Sequence, residues 1–246
     1  MKNLVFLIAL FFVLPSNGQT AAEIIKKAEE KLRGKSSYAE MSITTVRPKW
    51  SREMMLKSWA KGSDLSLIYI TAPSREKGTV FLKKKREVWN WIPNIERTIK
   101  LPPSMMSQSW MGTDLTNDDL VRESEKDNDF THKILGIDTV NGYPCWKIES
   151  IPKEDAAVVW GKIISWIGKK HFITHKTEMY DEDLFLVNIM IASDIKQFAN
   201  KFLPAKLEVL PVEKKGHKTV IQYVALKFDV PINDTFFSLQ NMRKIK

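Results

Sequence analysis

Four histidines, one cysteine and a group of aspartates are the side chains that could support chemistry in this chain of 246 residues. His171 and His175 have the spacing that would place two metal ligands on one face of a helix. The residues between them, Phe172-Ile173-Thr174, favour a strand instead, in which the two histidines would lie about 13 Å apart. Two ligands at that distance cannot share a zinc ion unless the backbone bends, so we expect no metal site.

Asp114, Asp118 and Asp119 superficially suggest a calcium site. The group lacks the glycine and the distal glutamate of an EF-hand loop, so helix capping is the expected role. The chain also contains no Gly-x-Ser-x-Gly motif, phosphate-binding loop or dinucleotide-binding fingerprint. We therefore predict no catalytic residues, no cofactor and no enzymatic activity. A secreted hydrolase is the weaker alternative, and it would need a buried serine or aspartate beside a histidine.

Residues 1–18 have the pattern of a secretory signal peptide. Lys2 provides the basic start, an apolar run covers residues 4–14, and Ser16-x-Gly18 matches a small-x-small cleavage site. The apolar run is too short to span a bilayer, so we expect the mature chain, residues 19–246, to be soluble. The only cysteine, Cys145, cannot form an internal disulfide and lies too far from the signal peptide to carry a lipid anchor, so we expect it to be buried.

The formal net charge of the chain is +9. Such an excess of positive charge could favour anionic membrane surfaces or nucleic acid, and the signal peptide argues against nucleic acid. The basic residues are scattered, apart from the run Lys83-Lys84-Lys85-Arg86 and the C-terminal Arg243-Lys244-Ile245-Lys246. We interpret the first run as a solvated hairpin turn.

The spacing of apolar residues predicts the helix and the strands that position the histidines, the cysteine and the aspartates. Thr20 and Glu23 form a capping-box pattern, and apolar residues at helical spacing follow until Gly34, which predicts one amphipathic helix. From Tyr38 onward the period changes to two, and short turns such as Asn141-Gly142 separate the runs, which favours antiparallel hairpins. We predict a mainly β (α+β) fold with a single antiparallel sheet of about 11 strands, in one domain over residues 19–246.

Residues 104–120, called the Met/Trp segment below, depart from this pattern. Pro102 and Pro103 precede the segment, so an ordinary central strand cannot continue there. Three methionines and a tryptophan between residues 105 and 111 give it an adaptable apolar surface. The sequence leaves two interpretations open: a lid over the sheet, or an apolar cluster packed under a long loop.

Methionine and tryptophan are concentrated between residues 50 and 111. A β-sheet core is usually filled by valine, isoleucine and leucine, whereas methionine and tryptophan tolerate exchangeable apolar partners. We therefore predict a groove that accepts lipid, and ordinary core packing is the alternative. The residues predicted to bind lipid are Trp50, Met54, Leu56, Trp89, Trp91, Met105, Met106, Trp110 and Met111.

These residues give the chain a family resemblance. It resembles the LolA-like periplasmic lipoprotein carriers, in particular the outer-membrane lipoprotein-sorting branch. The resemblance rests on Val88-Trp89-Asn90-Trp91-Ile92-Pro93, on Trp110-Met111-Gly112-Thr113-Asp114-Leu115, on the closing Phe237-Ser238-Leu239, and on the helix that leads into Tyr38-Ala39-Glu40-Met41. It implies an incomplete barrel, in which a curved antiparallel sheet has a concave apolar face that helices cover as a lid.

The resemblance also implies a function and partners. The chain would be a periplasmic carrier that binds acyl chains of lipoproteins or lipids and delivers them toward the outer membrane. Its partners would be an inner-membrane release complex or exporter and an outer-membrane acceptor, with no nucleic acid, and it would act as a monomer that is not itself lipidated. The alternative on the same fold is an accessory subunit that senses lipid or lipoprotein for a membrane regulator or lipid exporter.

Overall fold

The computed structural model describes residues 19–121, 129–154, 156 and 158–245. The predicted signal peptide, residues 1–18, lies outside the described residues. The first element is helix α1, Ala21–Arg33. Its start confirms the predicted capping box, because Thr20 accepts a hydrogen bond from the backbone N of Glu23 and the Glu23 carboxylate accepts one from the backbone N of Thr20. Gly34 follows the helix with a φ of 66°, as the sequence predicted.

Thirteen strands form in the described part of the chain, and together they make one antiparallel sheet. Their bounds are β1 Ser36–Arg47, β2 Trp50–Lys61, β3 Leu65–Ala72, β4 Val80–Lys84, β5 Glu87–Ile92, β6 Arg97–Lys100, β7 Phe130–Val140, β8 Tyr143–Pro152, β9 Lys162–Gly168, β10 Thr174–Tyr180, β11 Leu186–Phe198, β12 Lys201–Pro211 and β13 Lys218–Phe228. Short α-helices follow at α2 Asn117–Val121 and α3 Leu239–Met242, and short 3-10 helices at Pro93–Ile95, Pro103–Met105, Trp110–Gly112 and Asp234–Phe236.

The strand order across the sheet is β6-β5-β4-β3-β2-β1-β13-β12-β11-β10-β9-β8-β7. Neighbours in the sheet are neighbours in the chain except at the centre, where β13 pairs with β1. Strands β6 and β7 are edges, so the sheet is open and does not close into a barrel. The predicted fold class is confirmed. The sheet has 13 strands rather than about 11.

The predicted turn at Asn141-Gly142 joins β7 to β8, where Val140 pairs with Tyr143. Both turn residues have positive φ, 49° and 82° respectively, as a two-residue hairpin turn of this type requires. The turn between β11 and β12 uses Ala199 with a φ of 53°. Alanine rarely adopts this conformation, so the sequence carries no clear signal for a turn at that position.

The two faces of the sheet bury different apolar residues. The inner face, which bears Ile43 of β1 and Met54 of β2, also buries Trp110 and Leu115 of the Met/Trp segment. Helix α1 packs on the same side through Ile24, and its neighbours there come from β8 and β9. These contacts place both the helix and the Met/Trp segment over one face of the sheet.

The outer face is covered by the C-terminal residues. Leu67 of β3 and Leu82 of β4 pack there against Phe237 and Met242, and all four side chains are fully buried. The chain therefore returns to the β2–β5 side of the sheet after β13 and shields it from water. None of the helices in the described ranges is long and apolar enough to cross a membrane.

Candidate binding cavity

A cavity of about 320 Å³ lies against the inner face of the sheet. Its wall includes Lys83 from β4 and Phe130 from β7, two strands that lie near opposite edges of the sheet. The sheet must curve strongly to bring these strands to one cavity, so it forms the incomplete barrel that the family resemblance implied. Leu32 of α1 closes part of the open side.

Apolar side chains form most of the cavity wall. They come from strands on both sides of the central β1–β13 pair, from α1 and from the Met/Trp segment. The main apolar residues of the wall are Leu32, Ala39, Met41, Leu56, Ile68, Leu115, Phe130, Trp160, Ile163, Ile173, Met179, Met190, Ala192, Leu203, Leu207, Ile221 and Leu226. Ligand pockets commonly measure about 300–1,000 Å³, so this cavity has the size for a ligand such as a single alkyl chain.

The cavity wall also carries polar groups. The Asp119 carboxylate accepts hydrogen bonds from the indole Nε1 of Trp160 and from the backbone N of Thr116, both at 2.8 Å. Thr116 Oγ1 accepts in return from the backbone N of Asp119 at 3.1 Å, which confirms a capping role for this aspartate at the start of α2. Lys83 and Asp118 also reach the cavity, and both are more than nine-tenths buried. Lys83 therefore departs from the solvated turn predicted for its basic run, whereas Lys84, Lys85 and Arg86 are exposed.

A buried ion pair holds the Met/Trp segment against the sheet. Arg47 Nη1 lies 2.9 Å from Asp114 Oδ2, and the two side chains are 11% and 5% exposed. Asp114 also accepts a hydrogen bond from Thr219 Oγ1 at 2.7 Å, and Arg47 Nη2 donates to the carbonyl of Gly112 at 3.0 Å. Arg47, Asp114 and Thr219, called the latch below, therefore join the segment to β1 and β13.

Trp110 fills the part of the inner face next to the latch. Its side chain is fully buried, and its ring centroid lies 5.5 Å from that of Phe81. The indole Nε1 is buried and has no hydrogen-bond partner among the described residues. The next residue, Met111, has a φ of 51°, which is uncommon for a residue other than glycine. The latch and apolar packing hold the segment against the sheet, and hydrogen bonds within it, such as that from the backbone N of Trp110 to the carbonyl of Leu115 at 2.8 Å, support its local structure.

The structure separates the nine residues that were predicted to bind lipid. Met54, Leu56 and Trp110 belong to the inner-face cluster, and Met111 packs against its edge. Of the nine, Leu56 alone also lines the cavity. Met105 and Met106 form a separate group with Val88 and Leu101, beside the cluster.

The other three of the nine predicted residues are tryptophans that lie away from the cavity. Trp89 and Trp91 pack on the outer face against the C-terminal residues, because both point to the opposite side of β5 from Val88. Trp50, at the start of β2, is 52% exposed, and the Arg47 guanidinium lies 5.8 Å from its ring centre. Residue type marked all three as apolar, but the strand register decides which face each one joins.

Sequence reasoning missed a group of cations that come from three separate elements, each of which also contributes to the cavity wall. Lys31 lies on α1, Lys170 and His171 lie in the turn between β9 and β10, and Lys201 begins β12. Lys201 Nζ donates to the carbonyl of Lys31 at 3.0 Å, and Lys31 Nζ donates to the carbonyl of His171. Desolvation and the nearby Lys201 charge lower the pKa of Lys31. We call these four residues the cation cluster.

The two histidines that were considered as metal ligands lie in different surroundings. His171 is in the exposed turn before β10, whereas His175 is buried within β10 and stacks on Tyr143 with ring centroids 4.3 Å apart. No group of three or more potential metal ligands occurs among the residues that the structure describes. Cys145 is fully buried, as predicted.

His175 should make the stability of the protein depend on pH. Burial lowers the pKa of His175 below its usual value of 6.5, so the unfolded chain binds a proton more readily than the folded protein. The free energy of unfolding is therefore expected to fall as the pH drops below about 6.5. Urea denaturation at a series of pH values measures this slope. His175→Phe keeps a ring against Tyr143 and should make the slope shallower, and an unchanged slope would exclude His175 as its source.

A family model described as "Uncharacterized protein" matches residues 62–244, about three quarters of the chain. The chain belongs to this family, and its fold is LolA-like. No curated protein sequence matches the chain at a significant level.

Three solved structures share this LolA-like fold at low sequence identity. A DUF1329 family protein from Desulfovibrio piger is 20% identical, with a TM-score of 0.83 over 90% of this chain and 97% of that one. An outer membrane lipoprotein-sorting protein domain from Vibrio parahaemolyticus is 20% identical, with a TM-score of 0.82 over 91% and 98%. A LolA superfamily protein from Nitrosomonas europaea is 22% identical, with a TM-score of 0.79 over 91% and 99%.

Proposed function

We propose that the chain is a periplasmic carrier that binds an acyl chain of a lipoprotein or lipid and delivers it toward the outer membrane. The observation that carries the proposal is the apolar cavity of about 320 Å³ between the curved sheet and α1. The LolA-like fold supports the same class of cargo, since one protein with this fold is named for lipoprotein sorting. An inner-membrane release complex or exporter would supply the cargo, and an outer-membrane acceptor would receive it.

Delivery requires that the cargo can leave. Each buried methylene contributes about 0.8 kcal/mol, so a long acyl chain that gained its full burial energy would dissociate too slowly. The Met/Trp segment lowers the net affinity, because cargo that extends beyond the present cavity must displace Trp110 and lose its packing. The buried indole N–H without a partner makes this displacement less costly.

Under this proposal the predicted lipid-binding residues act at two stages. Leu56 contacts the acyl chain in the cavity as it stands. Met54 of the inner face contacts cargo once the Met/Trp segment has moved, and the displaced segment contacts it through Met105, Met106, Trp110 and Met111. Trp50, Trp89 and Trp91 lie outside this route.

Native mass spectrometry of residues 19–246 tests the proposal. The protein is purified from a bacterial periplasm without detergent, and a bound mass of an acyl lipid or a lipoprotein is expected. A protein that stays free of ligand, even after exposure to fatty acids, phospholipids and lipoproteins, would contradict the carrier function.

A cavity-filling substitution gives a second prediction. Ala192 is buried in the cavity wall, so Ala192→Phe places a ring in the empty space and should lower the affinity for a long-chain fatty acid by at least about tenfold, the equivalent of about two buried methylenes. Val224→Phe is the control, because Val224 is 59% exposed and lies outside the cavity wall. Equal losses in the two variants, measured by displacement of a fluorescent fatty acid, would show that the cavity is not the binding site.

A further inference from the structure

The members of the cation cluster do not line the cavity themselves, but they are close in sequence to residues that do. Each element that carries one of its members also contributes to the cavity wall, through Leu32 on α1, Ile173 after the β9–β10 turn and Leu203 on β12. A ligand whose chain occupies the cavity would therefore have its polar end within reach of these cations. Lys201 Nζ also lies 4.0 Å from the ring centre of Phe228, which helps to fix its position.

The lysines of the cluster form no ion pair with a carboxylate among the described residues, although Glu29, on the same helix as Lys31, lines the cavity. Lysines elsewhere on the sheet do pair, such as Lys176 with Glu178 at 2.7 Å. The nearby Asp229 carboxylate accepts a hydrogen bond from the backbone N of Lys35 at 3.3 Å. The ammonium groups of Lys31 and Lys201 are instead bonded to backbone carbonyls.

Desolvation and neighbouring positive charge both lower pKa values in the cluster. The pKa of His171 is lowered by desolvation and then by the charges of Lys31 and Lys170. The pKa of Lys31 is lowered by desolvation and then by Lys201. Cations that disfavour one another are stabilised when an anion binds among them.

We propose that Lys31, Lys170, His171 and Lys201 bind the anionic headgroup of the lipid whose acyl chain occupies the cavity. The inference rests on the proposed function and deepens it, because it makes an anionic lipid the preferred cargo. A phosphate or carboxylate beside the cluster would accept hydrogen bonds from Lys170 and from the imidazole of His171, and the charge of Lys31 and Lys201 would add to the attraction.

The test compares two lysophospholipids with the same acyl chain, lysophosphatidylglycerol and lysophosphatidylcholine, below their critical micelle concentrations so that no membrane surface is present. The wild-type protein is expected to bind the anionic lipid about tenfold more tightly, since several partly exposed charge pairs each contribute a modest factor. In the variant Lys31→Gln, Lys170→Gln, Lys201→Gln this preference should disappear, with the affinity for lysophosphatidylcholine unchanged.

The matched control also removes three positive charges, but near the end of β12 that lies away from Lys201. Lys49, Lys214 and Lys215 lie in exposed turns there, and their triple replacement by glutamine should preserve the preference. Lys170→Gln alone serves if the cluster variant folds poorly, because Lys170 is exposed; it should reduce the preference in part. Excess inorganic phosphate should not displace either lipid.

The outcomes separate the inference from the function on which it rests. Equal affinity of the wild-type protein for the two lipids would overturn headgroup recognition and leave the cavity as an acyl-chain site. Absence of binding to both lipids would overturn the proposed function itself. Displacement of the anionic lipid by inorganic phosphate would assign the cluster to a free anion and overturn the inference, as would an equal loss in the control variant.

Discussion

Replacement of Asp114 by alanine is expected to lower the free energy of unfolding by about 3–5 kcal/mol, because it leaves the buried guanidinium of Arg47 without its partner. Thr219 loses its acceptor in the same variant. The Met/Trp segment should also detach from the sheet more often, since the latch connects it to β1 and β13. Urea denaturation measures the stability, and hydrogen exchange of the backbone amides in residues 104–119 measures the detachment.

Two further variants separate the charge from the contact. Asp114→Asn keeps an acceptor for Thr219 but removes the negative charge, so an intermediate loss is expected. The double variant Arg47→Met, Asp114→Leu removes both charges and should recover much of the stability, because an apolar pair avoids the desolvation cost of the ion pair. If Asp114→Ala alone were as stable as the wild-type protein, the latch would not hold the segment.

Replacement of Trp110 by alanine is the second change for which we expect a large effect. The side chain is fully buried, and deletion of a buried tryptophan costs about 3–5 kcal/mol. The cluster that contains Trp110 also contributes Leu56 and Leu115 to the cavity wall, so the void left by the indole should extend the cavity. We therefore expect the variant to be less stable and yet to bind longer acyl chains relatively better than the wild-type protein.

Displacement titrations with fatty acids of increasing chain length, together with urea denaturation, measure both effects. Trp110→Phe is the control, because it keeps an aromatic ring against Phe81 and removes only the part of the side chain that carries the unpartnered N–H. Its stability should be much closer to that of the wild-type protein. If Trp110→Ala shows the same chain-length dependence as Trp110→Phe, the indole does not limit the space available to cargo.

The latch illustrates why part of the site could not be predicted from the sequence. Arg47, Asp114 and Thr219 are far apart in the chain, and they meet only because β13 pairs with β1 and the Met/Trp segment crosses both strands. The sequence predicted a capping role for the aspartates, and this holds for Asp119. A long-range ion pair has no local pattern, because its partners are brought together by the pairing of distant strands.

The sequence also could not indicate which apolar residues line the cavity. Trp89 and Trp91 have the same residue type as Trp110, but they face the C-terminal residues on the outer side of the sheet. Alternation along β5 puts the two on one face, but it cannot indicate which face is concave. The cavity wall instead combines alanine, leucine and isoleucine with Met41, Met179, Met190 and Trp160, and composition does not distinguish such a set from an ordinary core.

The sequence by itself determined the elements of this protein and how consecutive ones pair. The capping box at Thr20, the turn at Asn141-Gly142 and the alternation of the strands depend on residues close together in the chain, so local physics specifies them. Only the tertiary structure decided the direction of curvature, the face on which the C-terminal residues pack, and the meeting of Lys31, Lys170, His171 and Lys201 in one cluster. These features depend on contacts between residues distant in sequence, whose energies no local pattern encodes.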